Sequence, residues 1–324
     1  MKKIIFLILF FILVGFVFFL WQGIYLPKDI DSVDEQLFSV EKGQGLFQIA
    51  ENLEKDGLIK NKYFFVFYVS AKRAQKRLQA GKYSFNSSMN IPEIAKKIIS
   101  GDTTKIVVTI PEGYNIAQID ARLAEAGLIE KGEFINFDIE NFQFSNLEGF
   151  LFPDTYQFFY GTSIEEIVRK MLDNFEKKLN SDLREEIERQ EKTIFEIITM
   201  ASLIEKEVYN TPECPNCKNL VSGILWKRLE KGMPLQVDAT IAYITGKRTI
   251  KITKEEIQID SPYNTYKYLG LPIGPICNPG LESILATLYP KSSEYWYYLS
   301  TPESETIFSK TLEEHNIAKA KYLK

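Results

Sequence analysis

Residues 4–21 are an apolar run with Gly15 as the one small residue, placed directly after Met1, Lys2 and Lys3. As a helix at 1.5 Å per residue it spans roughly 27 Å, close to the hydrocarbon thickness of a bilayer. A cleavable signal would have a shorter run and a small-x-small cleavage site. The W-Q-G-I-Y-L-P-K-D that follows Leu20 offers none. The run is therefore predicted to be an uncleaved, single-pass anchor of the cytoplasmic membrane. Lys2 and Lys3 put residues 1–3 in the cytoplasm by the positive-inside rule. Everything from about residue 22 is then extracytoplasmic, beginning with a polar linker over 22–35.

The 324 residues suffice for this anchor and two further domains, and 45% hydrophobic with 25% charged content is ordinary for globular chains. A net charge of −4 argues against a nucleic-acid partner, which normally leaves a basic footprint. One histidine and three cysteines argue against histidine-based triads and most metal sites, and no cofactor is expected.

An internal repeat follows the linker. V-E-K-G-Q-G-L-F-Q-I-A-E-N-L-E-K-D-G-L-I at 40–59 aligns without gaps on I-P-E-G-Y-N-I-A-Q-I-D-A-R-L-A-E-A-G-L-I at 110–129. Identities include Gly43 with Gly113, Leu53 with Leu123 and Gly57 with Gly127, and the register continues to Phe64 with Phe134 and Phe67 with Phe137. Each copy predicts a short strand, a glycine turn, an amphipathic helix and a capping glycine. A strand over 81–85, a helix over 91–100 ending at Gly101 and a strand over 105–110 complete the reading of this half. The V-x-x-G-x-x-L-x-x-I-A-x-x-L-x-x-x-G-L-I pattern resembles a LysM-like module, a fold used on N-acetylglucosamine polymers. It implies a small α+β module over 36–104.

The remaining segment, 105–324, is predicted as a second α+β domain. Its helices are expected at 115–126, 164–179, 193–208, 219–231, 239–245 and 280–289, and its strands at 155–159, 297–300 and 306–308. The helix at 193–208 places Ile194, Ile197, Ile198, Ala201, Ile204 and Val208 on one face, and Glu205 within roughly 60° of its centre. A carboxylate in a core is expensive. Burial raises its pKa and suits a general acid. The alternative is a boundary residue reaching water or an arginine. Glu207 points away and reads as a structural ion pair.

Four segments then carry a resemblance: E-G-F-L-F-P-D-T-Y at 148–156, A-S-L-I-E-K-E at 201–207, L-Q-V-D-A-T at 235–240, and S-P-Y-N-T-Y-K-Y-L-G-L-P-I-G-P-I-C-N-P-G at 261–280. In order and spacing they resemble the YceG-like family of endolytic murein transglycosylases, as do the anchor and the LysM-like module. The resemblance implies a catalytic glutamate at Glu205, the third-from-last residue of A-S-L-I-E-K-E. It also implies peptidoglycan glycan strands as substrate, 1,6-anhydro-N-acetylmuramic acid ends as product, and peptidoglycan synthases as partners. One carboxyl group would suffice, where ordinary glycosidases need two.

Around it, Tyr263, Asn264, Thr265 and Tyr266 offer hydroxyl, amide and aromatic surfaces for sugars, or else turn chemistry and packing. Gln236 and Asp238 form a polar pair, and Asp238 either orients Glu205 or Tyr263 or caps the next helix. Glu148 and Asp154 are cleft or capping candidates. The loop's glycines lack a G-K-[ST] ending, so it is not a phosphate cradle. Ile273 and Cys277 depart from the residues usual in the family. The C-P-N-C at 214–217 reads as a loop disulfide or two idle thiols, with a zinc half-site or redox motif as weaker alternatives; His315 reads as structural. Two rivals stay open: a hydrolytic muramidase with Asp238 or Asp154 as second carboxylate, and a non-catalytic glycan-binding scaffold.

Overall fold

The computed structural model describes residues 2–139, 146–247, 252–301 and 305–323. The chain opens with α1, Lys2–Tyr25, which is apolar all round. Over Lys3–Tyr25 it is long and apolar enough to cross a membrane, and it is exposed along most of its length, with Ile24 near its end in the core of the first unit. Met1 of the expected cytoplasmic tail lies outside the described residues. The rest forms mixed α/β structure in two compact units, 1–107 with 157–162 and 108–156 with 163–324.

In the first unit, β1 (Gln36–Val40) leads through α2 (Leu46–Lys55) and α3 (Lys62–Ala71) to β2 (Gly81–Phe85) and α4 (Ile91–Ser100). β1 and β2 pair antiparallel from Gln36 opposite Phe85 to Val40 opposite Gly81. The two-residue period puts Phe38, Val40, Tyr83 and Phe85 on one face, where they meet Ile49, Leu53, Phe65, Ile94 and Ile98 in a closed core. Asn90 and Glu93 form a capping box at the start of α4, and Gly101 ends it at φ 68°. The end of α1 rests on α3. A Cβ on Gly23 would lie 2.4 Å from the Phe64 ring, and Phe19 packs edge-on against the same ring at 5.4 Å.

The chain continues through β3 (Lys105–Thr109), α5 (Ile116–Glu125), β4 (Thr155–Phe159), α6 (Ile164–Lys178) and α7 (Ser181–Arg189). Then come α8 (Ile194–Glu207), α9 (Cys217–Glu230), α10 (Asp238–Thr245) and α11 (Leu281–Leu288). The antiparallel pair β5 (Tyr297–Ser300) and β6 (Thr306–Ser309) and helix α12 (Leu312–Tyr322) complete the order. α8 packs against α7, α9, α10 and α11. Thr193 and Glu196 box its N-terminus, and every residue from Ile197 to Glu205 is buried.

The repeat is structural. Gly43 and Gly113 turn at φ 90° and 76°, and Gly57 and Gly127 close the helices at φ 77° and 70°. The closing bonds match too: Leu58 N donates to Leu53 O at 2.9 Å, and Leu128 N to Leu123 O at 3.1 Å. The likeness runs further than the aligned twenty residues, because β4 pairs with β3 as β2 does with β1, and capped helices α6 and α4 follow. The copies part after the closing glycine. In the second, buried Asp120 accepts from Gly132 N at 2.8 Å and Phe134 N at 3.0 Å, and turns replace α3. The first copy has apolar Ala50 at that position, buried in the core.

Helices α3, α7 and α12 were not expected, and α9 starts at Cys217 rather than 219. The aromatic and β-branched run of α3 has no polar face to reveal a helical period.

Candidate active site

Glu205 sits in the last turn of α8 and is 4% exposed. Its surroundings are not the apolar face that the helix periodicity suggests. Oε2 accepts from Ser283 Oγ at 2.5 Å and from Gly280 N at 3.1 Å, and lies 3.6 Å from Lys218 Nζ. Gly280 is the N-cap of α11, so a helix N-terminus adds its partial positive charge. Among the described residues no hydrogen bond reaches Oε1. One oxygen is thus anchored while the other stays available to a bound group.

Lys218 is 2% exposed on its side chain and also meets Glu282 Oε2 at 3.1 Å. Its backbone N donates to Asn210 Oδ1 at 2.9 Å, directly after a Cys214–Cys217 disulfide. A further carboxylate borders the centre. A Cβ on Gly280 would fall 2.0 Å from Glu112 Cδ, and one on Gly113 would fall 3.5 Å from Glu205 Cγ. Burial and the like charge of Glu205 push Glu112 up, and Lys218 opposes them. Glu205 and Glu282 thus share one ammonium, and Glu112 stands beside them as an unpaired neighbour among the described residues. The turn carrying Glu112 is tied down by Gly113 N donating to Asn278 O at 2.9 Å and by Lys206 Nζ donating to Gly113 O at 3.3 Å.

The sequence candidates divide into those that build walls and those that stand apart. Glu148 is buried and accepts from Ile116 N, the first residue of α5, at 3.2 Å, from Asn278 Nδ2 at 3.2 Å and from Tyr243 Oη at 3.3 Å. Burial pushes it up to about 7 against the Ile116 and Tyr243 bonds. Tyr263 stacks at a tilt on Tyr243 with centroids 5.0 Å apart. Asn264 is fully buried and pins the loop, its Nδ2 donating to Ile257 O at 3.0 Å and Ile259 O at 2.8 Å, its Oδ1 accepting from Tyr266 N at 3.0 Å. Thr265 Oγ1 accepts from Val237 N at 2.9 Å and meets Thr240 Oγ1 at 3.1 Å. The amide and hydroxyl of these two are spent inside the protein, which is the turn-chemistry alternative.

Tyr266 donates its hydroxyl to Asp238 Oδ1. Asp238 is the exposed first residue of α10, and Gln236 before it is exposed in the left-handed region at φ 54°. Burial, with the like charge of nearby Asp238 added, pushes the Glu207 carboxyl up to about 7. Glu207 has no cation within ion-pair distance among the described residues. It accepts from Ala239 N at 3.3 Å and Tyr298 Oη at 3.0 Å, so the expected ion pair is replaced by a cap on α10. Asp154 is exposed at the start of β4, accepting from Asn174 Nδ2 at 3.0 Å and Thr155 N at 2.7 Å. Neither Asp154 nor Asp238 contacts Glu205; the carboxylate beside it is Glu112.

Glu112, Lys218 and Ser283 were missed. Lys218 was overshadowed by the cysteine pair before it. Ser283 lies one turn beyond the quoted glycine. Glu112 had a visible signal, since it stands where the first copy has Lys42. Cys277 lies behind α8, its thiol donating to Ser202 O at 3.4 Å, and His315 stacks on Tyr297 with centroids 5.2 Å apart. Among the described residues no three or more His, Cys, Asp or Glu side chains gather to hold a metal.

The chain matches the model of the YceG-like family over residues 38–321. It is 34% identical to the endolytic murein transglycosylase of Bacillus subtilis (strain 168), across 96% of this chain and 91% of that protein. It is 30% identical to the endolytic murein transglycosylase of Streptococcus pneumoniae serotype 2 (strain D39 / NCTC 7466), across 90% of this chain but 59% of that longer protein. A crystal structure of a yceG-like protein from Listeria monocytogenes superposes with a TM-score of 0.59 at 33% identity, covering 88% of this chain and 99% of that one. The chain therefore belongs to the YceG-like family.

Proposed function

We propose that this protein is a membrane-anchored lytic transglycosylase acting within peptidoglycan glycan strands, with Glu205 as general acid and then general base. The observation that carries the reading is the anchoring of Glu205 through Oε2 alone, with Oε1 left for the substrate. The relatives named endolytic murein transglycosylase support it. Glu205 protonates the oxygen that links N-acetylmuramic acid to N-acetylglucosamine, and the bond from the anomeric carbon to that oxygen breaks. The sugar's own 6-hydroxyl attacks the anomeric carbon and returns its proton to Glu205. No water is consumed, and the intramolecular nucleophile carries the proximity advantage. The half-buried Tyr263 and Tyr243 supply aromatic surface for sugar faces. Residues 36–104 act as a LysM-like module that positions long strands, residues 105–324 carry the chemistry, and α1 holds both outside the cytoplasmic membrane beside the peptidoglycan synthases.

Glu112 favours one second reading. A carboxylate next to the acid could activate water, giving a hydrolytic muramidase. Mass spectrometry of glycan digested in ¹⁸O-labelled water separates the two. The transglycosylase reading requires 1,6-anhydro-N-acetylmuramic acid ends without label. A reducing end carrying ¹⁸O contradicts it and supports the hydrolase.

A further inference from the structure

A basic cavity in the first unit has no part in this chemistry. It is an open surface pocket of about 350 Å³, lined by Tyr68, Lys72, Arg77, Lys96, Ile99 and Ser100 among others. Among the described residues no carboxylate pairs with Lys72, Arg77 or Lys96. The ammonium of Lys72 lies 5.9 Å from the centroid of the Tyr68 ring. The charge is not local chance. Residues 36–104 hold eleven Lys and Arg against six Asp and Glu, in a chain whose net charge is −4.

A second cavity, of about 460 Å³, runs between Leu20, Trp21 and Ile24 of α1 and Phe67, Tyr68 and Lys72 at the end of α3. The two cavities share Tyr68 and Lys72. An apolar groove along the outer end of the apolar helix therefore opens into a cluster of cations. Trp21 and Tyr25 of α1, with Phe67 of α3, are exposed here. Amphipathic aromatics and long cationic side chains are the residues that settle at the headgroup layer. The close seat of Phe64 on Gly23 holds α3 against α1, so α3 cannot lift away from that layer without losing the contact.

We propose that the cavity binds the phosphate headgroup of an anionic phospholipid, with Lys72, Arg77 and Lys96 around the phosphate and the groove beside α1 taking the first carbons of an acyl chain. The proposal rests on the reading of α1 as a membrane anchor. It gives the module a fixed face toward the membrane, since each cation near an anionic surface adds to the attraction.

The test uses the full chain in nanodiscs of phosphatidylcholine, with or without phosphatidylglycerol, followed by hydrogen exchange. Residues 4–21 should be protected in both. Residues 66–77 and 92–100 should exchange at least about tenfold more slowly with phosphatidylglycerol, and K72Q/R77Q/K96Q should lose that difference. The comparison of lipids in the wild-type chain stands even if the variant folds poorly, which exchange at 81–85 reports. If 4–21 are protected and phosphatidylglycerol changes nothing, the lipid site is wrong and the anchor stands. If 4–21 exchange freely, the anchor reading fails and takes the proposal with it. If inorganic phosphate added to phosphatidylcholine discs protects the same residues equally, the cavity is a free-anion site and the lipid proposal is overturned.

Discussion

The two copies of the repeat share a backbone and differ in what their first turn faces. In the first copy the turn at Lys42, Gly43 and Gln44 stands at the surface of a basic module. In the second, the turn at Glu112, Gly113 and Tyr114 is fastened to Asn278 and lies against Glu205. The helices that follow begin differently as well. α2 starts from Gly45 with no side-chain cap, whereas α5 starts from Asn115 in a capping box with Gln118, and its next N–H goes to Glu148. The same strand–turn–helix can be an exposed surface or one wall of the candidate site around Glu205. The choice lies in a few polar residues that leave the hydrophobic pattern untouched.

The largest expected effect breaks the charge balance of the second copy's surroundings. Lys218→Met leaves Glu205 buried without its cation, and removing one partner of a buried pair costs about 3–5 kcal/mol. Chemical denaturation should show that loss, and Lys42→Met in the first copy should show almost none. An equal loss from both would erase the contrast.

Stability against pH comes next. The folded-state value of Glu148, about 7, lies above its ordinary 4.5, so burial favours the protonated form. Its contribution is full below about pH 4.5 and is lost as pH rises through 7. Over that window it amounts to at most about 3 kcal/mol. Glu148→Gln keeps an acceptor for Ile116 N and should flatten this part of the profile, making the variant relatively more stable at pH 8. A profile that keeps its slope would place the titration elsewhere, with Glu207 the first suspect because it has the same direction of shift.

Glu112→Gln sharpens the comparison. Burial and the neighbouring Glu205 hold the Glu112 carboxyl above its ordinary value, so its contribution to stability is lost as pH rises through the folded-state value, and Glu112→Gln should remove that part of the loss in denaturation at a series of pH values. Lys42→Gln should leave the stability profile in place. The smallest effect concerns the caps. Asn115→Ala should cost about 1 kcal/mol, and Gly45→Ala, which removes no side-chain cap, should cost less, read from denaturation midpoints.

Much of this was visible in the residues. Glycine spacing and periodicity located both repeat helices, their turns and α8, because local capping and amphipathicity decide those features. Burial of Glu205 followed from its place on the helix face. Its partners did not, because Lys218, Ser283 and Gly280 come from α9 and the start of α11, and nothing local in α8 records which elements will meet it. Asn264 and Thr265 sat in the most specific motif and looked like sugar ligands. In the fold their polar atoms hold the loop that brings Gly280 to Glu205, a role that depends on tertiary contacts. Asp120 likewise gave no sign in the aligned segment that it would replace α3 with turns.

The central claim is that Glu205 handles the proton in both halves of the reaction. Glu205→Gln in the full chain tests it most directly, since the amide keeps a hydrogen-bonding head and removes the ionisable proton. Turnover of glycan strands should fall at least about 10²-fold while the unfolding midpoint and strand binding persist. A folded Glu205→Gln protein that cleaves strands at a near-wild-type rate would contradict the account.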